Sequence, residues 1–137
     1  MIAEEFYLDT SIWLDFYEKR GENGEAALKL IEKLITENKT ILYSEIIIRE
    51  LKKLGYSQDE IYEIFRIAKP DNIRKVHVYK EYIKEADRIS SEKKIPLADA
   101  VHAILARENN AQLISRDNDF NEIKHITVTK LPEEFIY

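Results

Sequence analysis

Short apolar runs alternate with much longer stretches of helical spacing along this chain, and that alternation leaves few architectures open. A strand buried on both faces reads as a continuous apolar run. Parallel neighbours need a crossover of a dozen or more residues, usually a helix. Residues 3–8 read as a strand ending at Asp9, and Thr10 to about Arg20 as a helix with Ile12, Trp13, Phe16 and Tyr17 on one face. GENGE at 21–25 reads as a break, followed by a helix from Glu25 to Glu37 that turns Ala27, Leu30, Ile31 and Leu34 inward. Thr40–Tyr43 is a second strand, and Ser44–Leu54 a helix stopped at Gly55. Ser57 with Glu60 forms a capping box that opens a helix to about Ala68. A loop at Pro70–Asp71–Asn72 leads to a strand over Ile73–Val78 and a helix from Lys80 to Lys93. Pro96 starts another helix running to Asn109, Gln112–Ser115 is a buried strand, and Ile126–Val128 a last short one. The expectation is an α/β fold with a central, mainly parallel sheet. With 137 residues and no linker, repeat or break in composition, residues 1–137 are expected to form one domain.

Four acids stand where one element gives way to the next: Asp9, Glu50, Asp99 and Asp117. In open α/β sheets functional groups gather at the carboxyl ends of the strands, and Asp9 and Asp117 each follow a strand. Asp99 lies in the first turn of a helix that travels roughly 16 Å to Asn110 at ~1.5 Å per residue. The following strand and its flanks return roughly 20 Å to Asp117 at ~3.3 Å per residue. Out and back nearly match, so Asp99 and Asp117 are expected at one edge. Glu50 lies well inside its helix and must reach that edge with its long side chain.

Carboxylates crowded in this way repel and need a compensating cation. Oxygen ligands, in a chain without cysteine, favour Mg²⁺ or Mn²⁺ over zinc. Each acid also has a plain structural reading. Asp9 suits a helix N-cap, Asp99 favours a helix dipole, Asp117 can start a turn, and Glu50 beside Lys52 and Lys53 fits a solvated helix face. Asp15, Asp59, Asp71 and Asp87 read as surface or cap residues. His77, His102 and His125 share no metal-binding spacing, and His102 reads as a core or rim residue.

The absence of cysteine excludes disulfides, thiol catalysis and thiolate metal sites. No apolar run approaches the ~20 residues that cross a bilayer, and the N-terminus lacks the pattern of a secretory signal, so a cytoplasmic location is expected. A net charge of −5 speaks against general nucleic-acid binding. Four or five of those charges belong to the acid set, however, where a divalent ion would neutralise much of them.

The motifs YLDTSIW, SEIIIREL, PLADAVHAILA and LISRDNDF occur in the order found in PIN-domain proteins. Over about residues 6–128 the chain resembles the small VapC-type ribonucleases of toxin–antitoxin pairs. The resemblance implies a three-layer α/β/α domain and Mg²⁺- or Mn²⁺-dependent endonucleolytic cleavage of RNA. It places Asp9, Glu50, Asp99 and Asp117 as the acidic quartet and Asp119 as a further acid near the metal. Thr10 and Ser115 match supporting hydroxyl positions. It also implies a homodimer and a cognate antitoxin, toward which the helix faces carrying Trp13, Phe16 and Leu30 are candidates. Core packing is the simpler account of those three. Many members carry Gly before the last motif, where this chain has Asn110–Ala111; Asn also suits a left-handed cap.

Two other functions compete within the resemblance: an RNA-processing PIN nuclease outside toxin biology, and a non-catalytic PIN-like binding module. The second gains little from clustered repulsion. An aspartyl-phosphate phosphatase or receiver-like domain also puts Asp at strand ends. Phosphatases of that type show D-x-D after the first strand, which Asp9–Thr10–Ser11 lacks.

Overall fold

A computed structural model describes residues 3–137. Four strands, β1 (Glu5–Leu8), β2 (Thr40–Ser44), β3 (Ile73–Val76) and β4 (Gln112–Ile114), form a sheet in the order β3-β2-β1-β4. Every pairing is parallel, as short apolar strands joined through helices require. The helices are α1 (Thr10–Tyr17), α2 (Gly21–Thr36), α3 (Glu45–Lys53), α4 (Gln58–Phe65), α5 (Lys80–Lys93), α6 (Leu97–Glu108) and a short α7 (Glu133–Ile136). They flank the central sheet and bury both faces of its inner strands, while Arg74 and Lys75 of the edge strand β3 stay exposed, giving the expected α/β architecture. None of these helices is long and apolar enough to cross a membrane.

The core runs through the sheet centre. Tyr7, Leu8, Ile41, Leu42, Leu113 and Ile114 are fully buried, covered by Ile12, Trp13, Leu30 and Ile31 on one pair of helices and by Ala103 and Ile104 on α6. Trp13 meets Phe65 edge-on at 4.9 Å between centroids, and Leu30 is likewise fully enclosed, so both are core residues. Phe16 is half-buried against the same cluster. Ser57 and Glu60 make the expected capping box at α4.

The structure corrects the sequence expectation in three places. GENGE is the first turn of α2 rather than a break before it. The chain reverses earlier, at Lys19 (φ 54°) and Gly21 (φ 57°), which shortens α1 to end at Tyr17. Gly24 is kept small by packing: a Cβ there would stand 2.6 Å from the Asp15 carbonyl oxygen. Second, Ile126–Val128 is not a strand. The Gln112 side-chain amide takes the Val128 carbonyl at 2.9 Å, and the ladder contact comes later, as a single parallel bridge between Ile114 and Lys130. Third, Asp15 is not a surface residue. It is buried, with Arg20 at 3.6 Å and Arg116 at 3.8 Å, because the early turn folds Arg20 back over α1.

Gly24→Ala tests the close crossing of α1 and α2. The obstructing atoms are backbone, so relief requires moving one helix, and the substitution should destabilise by about 1–3 kcal/mol. Urea denaturation measures it; an unchanged midpoint would mean that the helices separate freely.

Candidate functional site

The register of β1 against β4 builds the centre of the site. Leu8 pairs with Ile114, so the next residues, Asp9 and Ser115, emerge side by side at the carboxyl edge. The Asp9 amide donates to the Ile114 carbonyl at 3.0 Å, and the Ser115 hydroxyl donates to Asp9 Oδ2 at 2.8 Å. Asp9 Oδ1 accepts from the Thr10 amide at 2.7 Å, so Asp9 caps α1 while lying in the site. Its structural and functional readings therefore coexist.

Asp117 repeats the pattern. Its carboxylate accepts from the Asp119 amide at 2.9 Å, and its own amide donates to Ser115 Oγ at 3.0 Å. The turn so formed holds Asp117 and Asp119 opposite Asp99 in the first turn of α6, with one oxygen from each acid within 4.8 Å of the others. Asn110 has φ 54°, the left-handed cap that ends α6 and lets the chain return along β4. The matched lengths of α6 and β4 thus deliver Asp99 and Asp117 to one edge.

Glu50 reaches the site from α3 through two donors. The Thr10 hydroxyl and His102 Nε2 each lie 2.6 Å from Glu50 Oε1. His102 is fully buried on α6, 3.8 Å from Asp9 Oδ1, and its Nδ1 is 2.7 Å from the Tyr7 hydroxyl. That hydroxyl is in turn 2.7 Å from Ser44 Oγ. Asp9, Glu50 and His102 make a second group whose potential ligand atoms lie within 4.8 Å of one another. His102 is a core residue, as its sequence position suggested, yet it is also joined to the acids. The signal was present: it stands three residues after Asp99, on the same helical face. Tyr7 stands two residues before Asp9, on the same side of its strand.

Electrostatics divide the acids. Burial, reinforced by Asp117 and Asp9, pushes the Asp99 carboxyl up to about 8. Burial also raises Asp9, partly offset by His102 and by the hydrogen bonds from Ser115 and Thr10. At Glu50 the burial effect is outweighed by His102, the Thr10 hydroxyl and Lys53, and the carboxyl falls below its ordinary value. His102 is raised: burial opposes its charged form, but Glu50 and Asp9 favour it more strongly. Burial holds the Tyr7 phenol neutral, well above its usual range.

The donor set fits a hard divalent cation. Asp99 Oδ2 is buried without a hydrogen-bond partner, a state that is costly for a carboxylate unless a proton or a cation compensates it. Asp99, Asp117 and Asp119 offer oxygens only, the set that suits Mg²⁺ or Mn²⁺. An open cleft of about 610 Å³ is lined by Asp9, Glu50, Asp99 and Asp117, with Lys53 and Arg116 as its cationic residues. From the sequence, Lys53 has only the part of a solvated neighbour of Glu50, and Arg116 no part at all. Arg116 is tied to Glu133 of α7 at 2.8 Å.

With this geometry in place, comparison with known proteins assigns the class. A profile for the PIN domain matches residues 6–126, and the chain belongs to the PIN-domain family. Three of the solved structures that share the fold illustrate the likeness. One is VapBC2 from Rickettsia felis, bound to a DNA fragment from its promoter; the TM-score is 0.65 at 20% identity, over 93% of this chain and 96% of that one. Another is a toxin–antitoxin complex from Klebsiella pneumoniae, with TM-score 0.59 and 20% identity over 93% and 97% of the two chains. The third is PAE2754 from Pyrobaculum aerophilum, with TM-score 0.59 and 16% identity over 98% and 96%. No curated protein sequence matches.

The Asp99 environment predicts a pH dependence. Its folded value of about 8 lies above the ~3.9 of an unfolded Asp. The folded state therefore binds the extra proton, and the metal-free protein loses stability as pH rises through that window. Asp99→Asn removes the titrating group, so thermal melts without metal should show the variant gaining a few degrees on wild type between pH 5 and about 8. Parallel melting curves across that range would contradict the assignment.

Proposed function

We propose that this chain is a divalent-metal-dependent endoribonuclease, and that it is the toxin of a toxin–antitoxin pair. The observation that carries the nuclease reading is the unpartnered, buried Asp99 Oδ2 facing Asp117 and Asp119, beside a second group built on Asp9 and Glu50. Membership of the PIN-domain family supports it. The toxin role draws on the structural likeness to VapBC2 and to the Klebsiella pneumoniae toxin–antitoxin complex.

In this reading Asp9, Asp99, Asp117 and Glu50 hold Mg²⁺ or Mn²⁺, with Asp119 adjoining. When bound, such an ion polarises a phosphoryl oxygen and acidifies water. The remaining roles belong to the chain's own groups. Ser115 and Thr10 orient Asp9 and Glu50 through the hydrogen bonds described above. Glu50 has Oε1 engaged by two donors, which leaves Oε2 as the oxygen that would meet the ion or the water beside it. Lys53 and Arg116 line the cleft and give the negatively charged phosphodiester of an RNA strand its cationic contacts. A single strand suits the open cleft better than a stiff duplex. A cognate antitoxin would block this face, and a homodimer is the assembly expected of the active form.

Purified Asp9→Asn and Asp99→Asn proteins should each lose Mg²⁺- or Mn²⁺-stimulated cleavage of single-stranded RNA by at least about 100-fold, since each removes a charge that holds the ion. Circular dichroism should show both folded. Cleavage at the wild-type rate by both variants would exclude the assignment. Co-expression with a short DNA-binding protein, where one is encoded immediately upstream, tests the toxin role: relief of growth inhibition is expected, and unchanged inhibition would leave an RNA-processing nuclease.

A further inference from the structure

We propose that His102 is a positioning residue for Glu50, and that the buried series Ser44, Tyr7 and His102 fixes how Glu50 presents itself to the metal. The inference rests on the metal-site reading above and extends it to residues that contribute no carboxylate.

Glu50 is the acid whose place in the site needs most explanation. It sits on the sixth residue of α3, the helix spanning Glu45–Lys53, and its flexible side chain has no strand end to aim it. Two donors, from α1 and α6, converge on one of its oxygens: Thr10 Oγ1 and His102 Nε2, each at 2.6 Å. An ionised carboxylate only accepts, so the imidazole Nε2–H must donate. Both donors occupy Oε1, which commits Oε2 to the cleft.

The imidazole is itself locked. Tyr7 holds Nδ1 at 2.7 Å, and Ser44 holds the Tyr7 hydroxyl at the same distance. Turning the ring would break bonds at both nitrogens at once, in a place closed to bulk solvent: His102, Tyr7 and Ser44 are all fully buried. Three strand or helix elements, β1, β2 and α6, therefore converge to aim one donor at one oxygen. Pure core packing has no use for this arrangement, because an apolar side chain would fill the same space without three buried polar groups to satisfy.

Partners that orient a ligand typically change metal affinity 10–100-fold when removed. The test is thermal melting of the full chain across a range of Mn²⁺ concentrations, which reads affinity independently of cleavage. His102→Leu should raise the Mn²⁺ concentration for half-maximal stabilisation by about tenfold or more. His102→Gln, whose side-chain amide can still donate toward Glu50, should restore most of that loss. Tyr7→Phe preserves the ring packing and removes only the hydroxyl, so it should shift the midpoint in the same direction by less. It also decides the matter if His102→Leu does not fold.

A merely structural His102 would lower the metal-free melting temperature while leaving the Mn²⁺ midpoint where it was. Midpoints within roughly twofold of wild type for the folded variants, far below that range, overturn the role given to His102 but leave the metal site standing. A wild-type protein that gains no stability from Mn²⁺ overturns both.

Discussion

Parallel pairing of β1 with β4 is the constraint on which the acidic edge depends. With Leu8 beside Ile114, the chain must leave the sheet as two adjacent strand ends, and Asp9 and Ser115 are bonded to each other there. A slip of one residue would turn Asp9 to the opposite face and take Tyr7 away from His102. Burial opposes such a slip, since Phe6, Tyr7, Leu8, Leu113 and Ile114 are already enclosed and would have to exchange environments. The hydrophobic core thus enforces an arrangement of like charges that electrostatics alone would scatter.

Repulsion within that arrangement is handled differently in its two halves. Around Glu50 the protein supplies donors of its own, from Thr10 and His102, and the carboxyl is held below its ordinary value. Around Asp99 it supplies none to Oδ2, and the carboxyl rises to about 8. The first half is organised in advance; the second is left for a proton or a cation to complete.

Much of this was legible in the sequence because strand ends and helix starts are local features. Asp9 follows an apolar run, Asp117 follows another, and Asn110 has the chemistry of a left-handed cap. What escaped was set by contacts between distant segments. The beginning of α2 depends on Gly24 fitting against the Asp15 carbonyl, and two glycines close together read locally as a break. Asp15 looks solvated until the reversal at Lys19 brings Arg20 back and β4 brings Arg116 across. Ile126–Val128 has strand-like residues, but the Gln112 amide claims the Val128 carbonyl. His102 carries the right helical spacing from Asp99, yet its bond to Glu50 spans 52 positions and no local pattern reveals it.

Asp9 and Asp117 each cap a turn of backbone and also line the cleft. Asparagine caps a helix as well as aspartate does, and the two amino acids are separated by a single nucleotide in their codons. Chemistry and architecture at these positions are therefore separable by the smallest of genetic steps. One base change removes the carboxylate charge and keeps an oxygen that can cap the turn.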